Sequence, residues 1–244
     1  MDIEMQEKLF FKYWNSGIAN KSAKDMQTAD NIRRKMLPVI EEIMDENDRE
    51  QIAQIYETFS DFLFDYIRIA GKTYDDESQK KAEMKQLAEK AIEYSPNSFY
   101  GHYFLVVHAI LNLKNMHQGT YDAQGLGDLI VGGAINLLVK GVTASAAGIS
   151  DVNLNKKIEN LLAVYKEFLK DSPVDANVYL DYTSKFFKIA EFCIEDRKLN
   201  WQEIYKVISD FDSSNIDYSV VEKELVEETK EKILEIVILA DAKL

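Results

Sequence analysis

Met84-Lys-Gln-Leu87-Ala88-Glu-Lys-Ala91-Ile92-Glu-Tyr94-Ser95-Pro96 places apolar groups at 84, 87, 88, 91, 92 and 94 and then stops at a proline. Spacings of three and four residues line those groups along one side of a helix, so the segment reads as an amphipathic helix with one buried face. Pro96 has no N–H and fixes its own φ. It ends that helix and suits the turn before the next, with Ser95 or Asn97 as the expected cap. The stretch from Phe99 to Leu111 is apolar on most sides and reads as a buried helix. A second junction, Leu161, Tyr165, Phe168 and then Ser172-Pro173, repeats the theme.

Outward from these junctions the whole chain reads as all-α. Helices are expected near 3–18, 22–44, 48–70, 79–94, 97–116, 126–142, 153–170, 175–197, 201–211 and 218–242. Ser22 to Asp25 and Asn200 to Glu203 have capping-box spacing, and Asp48, Asp151 and Asp217 stand where helix starts need caps. Pro38 is expected to kink the second helix or split it. No stretch alternates apolar and polar residues with period two between turn signals, so no strand of consequence is expected.

The first junction resembles the tetratricopeptide repeat family, on Met84, Ala88, Ala91 and Pro96 for the second helix of one unit and His102 and Leu105 for the first helix of the next. Val106 departs from the small residue usual there. The second junction is similar through Leu161, Tyr165, Phe168, Pro173 and Tyr179, with Tyr182 where the family has Leu. The resemblance implies an array of antiparallel helix hairpins, about ten helices in a single domain over 1–244. It also implies a concave groove lined by Tyr100, Tyr103, Val107 and Ile110 after Pro96, and by Asn177, Leu180, Ser184 and Phe187 after Pro173. Family members that clasp a carboxylate-ended peptide present Lys, Arg and Asn there. These positions are mostly apolar and aromatic, which argues against that clamp.

The prolines lie 77 residues apart, nine more than two units of about 34, so an irregular element is expected between them. The segment 119–150 fits that place, since it holds seven of the ten glycines. Its longest uncharged run, Leu129–Val139, is 11 residues, against about 20 for a membrane-spanning helix. It reads as an irregular apolar insert that fills the groove as a core helix or lines an apolar cavity.

Forty-two acidic against 29 basic residues give a net charge of −13, which repels phosphate backbones and anionic membrane surfaces at long range. Neither nucleic acid nor a membrane span is expected. A hydrophobic content of 46% is ample for a continuous core. The single Cys193 lies in an apolar pattern and reads as a core residue. Asp2, Glu4 and Glu7 replace the basic start of a secretory signal, so a cytoplasmic protein is expected, or a periplasmic one if a signal has been removed.

Apparent catalytic motifs dissolve on inspection. Gly71-Lys72-Thr73 imitates the end of a phosphate loop, but Tyr66 stands where its first glycine belongs, and Gly71 reads as a helix C-cap. Gly125-Leu-Gly127 lacks the third glycine of a dinucleotide fingerprint, at Ile130. His102, His108 and His117 have no Glu-x-x-His or His-x-x-x-His partner, so neither a metal site nor a cofactor is expected, and His102 reads as a packing residue. Carboxylate pairs such as Glu41-Glu42, Asp75-Asp76 and Glu227-Glu228 read as solvated faces and loops.

Two patches face partners in this reading. The aromatic cluster Leu9-Phe10-Phe11-Lys-Tyr13-Trp14 docks on the first hairpin or offers a surface to another chain. The run Ile233–Ala240 in the last helix tucks under the array or forms a homo-oligomer contact. The function expected is a non-enzymatic module for protein or peptide binding, or assembly, through an apolar groove. The alternative is an apolar small-molecule binder with a cavity around Tyr103, Val107 and 126–142. It is similar only in helical pattern and apolar interior to the tetratricopeptide-like components accompanying some bacterial solute transporters.

Overall fold

The computed structural model describes residues 2–43, 48–71, 74–113, 153–195 and 200–241. These are all-α apart from one short parallel pairing. In chain order the helices are α1 (Ile3–Asn20), α2 (Ala23–Ile43), α3 (Arg49–Ala70), α4 (Tyr74–Tyr94), α5 (99–113), α6 (153–168), α7 (Ala176–Glu195), α8 (Asn200–Ser209) and α9 (Lys223–Asp241). The expected helix at 126–142, the insert at 119–150 and the cap at Asp151 lie outside the described residues. The chain divides into two compact units, 1–108 and 109–244.

In the first unit α1 packs on α2, α3 on α4, and α2 on α3. Asp2 caps α1 by accepting from Met5 N at 3.2 Å, satisfying one of the orphan amides of a helix start. Lys21, at φ 49°, closes α1 in the left-handed region. Ser22 then caps α2 through Asp25 N at 3.2 Å. The box is only half formed, because the Asp25 carboxylate accepts from Ser16 Oγ at 2.8 Å. Gly17 is buried where a Cβ would run into Met26 Sδ, so its lack of a side chain is what lets the two helices approach. Pro38 lies within α2, which continues through it to Ile43 rather than splitting there.

Asp48 precedes α3 without a side-chain capping bond, contrary to expectation. Its neighbour Arg49 acts on the far end of α4 instead, donating to Glu93 O at 2.8 Å and Tyr94 O at 3.1 Å. The guanidinium thereby satisfies two terminal carbonyls and sets the start of α3 beside the end of α4. Gly71 closes α3 as expected, its N–H bonding to Tyr66 O at 3.2 Å. α4 begins earlier than expected, at Tyr74.

At the first Ser-Pro junction neither Ser95 nor Asn97 caps α5. Ser98 does so, accepting from Gly101 N at 2.8 Å and donating to Glu57 Oε1 at 2.5 Å. A Cβ on Gly101 would come within 2.6 Å of Ser98 Oγ and 2.8 Å of Ile92 Cγ1. His102 is half-buried, and its Nε2 lies 3.0 Å from Pro96 O across the turn.

In the second unit α6 meets α7 through Tyr165, whose ring lies 4.7 Å from that of Phe186 and whose hydroxyl is 2.7 Å from Thr183 Oγ1. α7 also packs on α8 and α9. The Ser172-Pro173 peptide is cis. It leads into β1 (Val174–Asp175), which pairs parallel with β2 (Ile216–Asp217) in the register Val174 with Ile216. Asp175 then caps α7 by accepting from Val178 N at 3.0 Å. Asp217 belongs to β2 and turns to Ser219 N at 2.9 Å, so it caps no helix. Val174, Ala176, Tyr179, Ile216 and Val226 form a buried cluster beneath this pairing. Cys193 is buried, as expected.

Candidate functional site

Three helices of the first unit shape an apolar concavity. α1 contributes Ile3, Phe10 and Phe11, α2 contributes Met36, Ile40 and Ile43, and α3 contributes Ile55 and Phe59. Glu7 and Thr58 add polar edges to a groove of about 200 Å³. Its floor is rigid because Phe10 is held edge-on between Phe59 and Phe62, at ring separations of 5.5 and 5.2 Å. Trp14 is anchored beside it by donating Nε1–H to Asp65 Oδ2 at 3.1 Å. The aromatic cluster therefore docks within its own unit, while Phe11 stays at the surface and Ile43 is 64% exposed.

Next to the groove lies a buried charge network joining α2 to α4. Arg33 is 0% exposed. Its Nη2 donates to Asp30 Oδ1 at 2.7 Å and to Glu83 Oε1 at 2.6 Å. Arg34 repeats the pattern on the other oxygens, at 3.0 Å to Asp30 and 2.9 Å to Glu83. Lys80 completes it with an ion pair to Asp30 and lies 4.7 Å from the Tyr66 ring centre. Burial pushes the Asp30 carboxyl up, but the charges and hydrogen bonds of Arg33 and Lys80 prevail and hold it below the usual range. A carboxylate so firmly ionised is a poor general base near neutrality. The arrangement fixes α2 against α4 rather than moving protons.

Of the carboxylates read as solvated, Glu41 is exposed as expected, whereas Glu227 is half-buried. Glu41 accepts from Tyr56 OH at 2.7 Å and pairs with Lys90. Glu227 Oε1 is buried with no hydrogen-bond partner among the described residues. Tyr179, next to that carboxylate, is pushed up to about 12, chiefly by burial.

Of the groove positions expected from sequence, Tyr100, Tyr103 and Val107 belong to the first unit. Tyr103 and Val107 are buried. Tyr100 and Tyr103 lie in a ladder of rings with Phe99 and Phe104. In the second unit Ile110 and Phe187 are half-buried and Asn177 is exposed. Leu180 packs against the buried cluster, and Ser184 Oγ donates to Asp181 O at 2.7 Å.

Sequence reasoning did not single out the α1–α3 groove or the charge network. Asp30, Arg33 and Arg34 have intrahelical ion-pair spacing, but burial of that face depends on α4, some fifty residues away. Among the described residues no group of His, Cys, Asp and Glu is placed to hold a metal ion, and no helix is long and apolar enough to cross a membrane. No family model, curated protein or solved structure matches the chain.

Proposed function

We propose that this chain is a non-enzymatic, tetratricopeptide-like binding module whose first unit seats apolar side chains of a protein partner. Paired helices, short joints and close glycine contacts at Gly17 and Gly101 support the repeat reading. The observation that carries the binding reading is the groove itself, a preformed apolar trough whose Phe11 and Ile43 remain at the surface. Solvent-facing apolar groups beside a rigid floor are what a partner's anchoring side chains need. A volume of about 200 Å³ falls below the roughly 300–1,000 Å³ of small-molecule pockets. That favours anchoring a few side chains over enclosing a ligand.

The test is comparative capture from a lysate of the source cells, with wild type and Ile43→Asp immobilised side by side. Ile43 is exposed, so the substitution leaves packing intact while placing a charge in the groove. A protein retained by wild type and lost by Ile43→Asp is the expected result. A capture profile indifferent to the substitution defeats the proposal.

A further inference from the structure

The α1–α3 groove has a single charged residue in its lining, Glu7, and no cation. Glu7 is exposed and forms no ion pair with any described residue. Glu42, next in the chain to the lining residue Ile43, is likewise exposed and without an ion pair among the described residues. It stands in the last turn of α2, which holds no basic residue. A helix C-terminus carries partial negative charge and favours cations, so Glu42 adds to that field instead of offsetting it. Its neighbour Glu41 is covered by Lys90; Glu42 is not.

The basic residues nearest in sequence are engaged elsewhere or distant. Lys8 pairs with Glu4 at 2.6 Å, and Lys12 lies over the Tyr13 ring. Arg49, at the start of α3, donates to the carbonyls of Glu93 and Tyr94. Lys35 precedes Glu42 by seven residues, about 10 Å along the helix axis, which is about one Debye length at 0.1 M salt. An apolar trough thus lies beside carboxylates that nothing described neutralises. A second copy of this chain would bring a further −13 and meet repulsion. Helices line the groove on all three sides and offer no strand edge, so it suits a partner that satisfies its own backbone hydrogen bonds, namely a helix.

Resting on the groove reading above, we infer that the occupant is a cationic amphipathic helix of a protein partner. Its apolar stripe enters between Ile3, Ile43 and Ile55, and its Lys or Arg side chains meet Glu7, Glu42 and the end of α2. Long basic side chains cover apolar surface with their stems while their charged ends reach the carboxylates.

Fluorescence anisotropy of labelled helical peptides on the full chain tests it at pH 7 and about 0.1 M NaCl. One peptide carries a Leu stripe flanked by Lys, a second the same stripe flanked by Glu, and a third the composition of the first with the stripe scrambled. The Leu/Lys peptide is expected to bind about tenfold more tightly than either of the others. Glu7→Gln/Glu42→Gln is expected to weaken it about fivefold, without lowering the melting temperature, because neither carboxylate has an ion pair to lose. Ile43→Asn removes an apolar anchor without altering charge and is expected to weaken it about tenfold. Absence of Leu/Lys binding overturns the inference, as does equal binding of the Leu/Glu or scrambled peptide, or affinity that survives the double glutamine substitution. Equal binding of the two striped peptides, both lost in Ile43→Asn, would keep the groove and discard the cationic partner. Leu/Lys affinity indifferent to Ile43→Asn would defeat the groove reading as well, since charge alone would then hold the peptide.

Discussion

Glu57 and Gly101 show how single residues around one turn are constrained. Burial raises the Glu57 carboxyl above its usual range, offset in part by the bond from Ser98. A folded-state value above the unfolded one means that folding takes up a proton, so the neutral form is favoured as pH falls and a cost is present above the folded value. Glu57→Gln keeps an acceptor for Ser98 and removes the charge. It is expected to raise the urea midpoint at pH 7, with the gain shrinking toward pH 4. Gly101→Ala should go the other way: alanine gains about 1 kcal/mol in helix propensity, but overpacking costs about 1–3 kcal/mol. The added Cβ would lie 3.1 Å from Ala88 O, a backbone atom that cannot rotate aside. A lower melting temperature is expected, and an unchanged or higher one would show that the α4–α5 contact relaxes freely.

At the scale of elements, α2 carries both a defect and a clamp. Pro38 sits exposed inside the helix and removes one main-chain hydrogen bond, so Pro38→Ala is expected to stabilise by about 1–3 kcal/mol in denaturant melts. The clamp is the Asp30 network with α4. Because the folded Asp30 value is depressed, the unfolded chain binds more protons through the window below about pH 4. The stabilisation is present above that window and is lost as pH falls through the folded value. Asp30→Asn leaves buried cations short of a partner and is expected to cost about 3–5 kcal/mol at pH 7, while flattening the acid limb of the stability profile. An acid limb identical to wild type would mean that other carboxylates govern it. Helix positions were legible from sequence because a stripe of apolar side chains recurs with the helical period whatever it packs on. The half-used box at Ser22 and the cap at Ser98 were less so, since each depends on what lies across the turn.

For the whole molecule, the net charge of −13 sets the response to salt. Self-repulsion among surface carboxylates is screened by added electrolyte, while buried pairs such as Arg33–Asp30 are screened much less. Sodium chloride is therefore expected to raise the urea midpoint at pH 7. A midpoint that falls with salt would show that exposed ion pairs outweigh the repulsion. Apolar surface also remains on the last helix: Ile233, Val237 and Ala240 are buried, whereas Ile238 and Leu239 are 60% and 63% exposed. The run Ile233–Ala240 thus has one side buried within the second unit and one side exposed.

Sequence by itself determined the all-α class, the helix positions among the described residues, the C-cap at Gly71 and the burial of Cys193, because these follow from local periodicity and backbone chemistry. Tertiary structure alone decided where apolar groups from different helices converge. Ile3, Ile40 and Ile55 come from three helices and share one groove, and Arg33 meets Glu83, and Asp30 meets Lys80, only because α4 is brought across to α2. Such convergence depends on contacts between residues far apart along the chain, which no local pattern encodes.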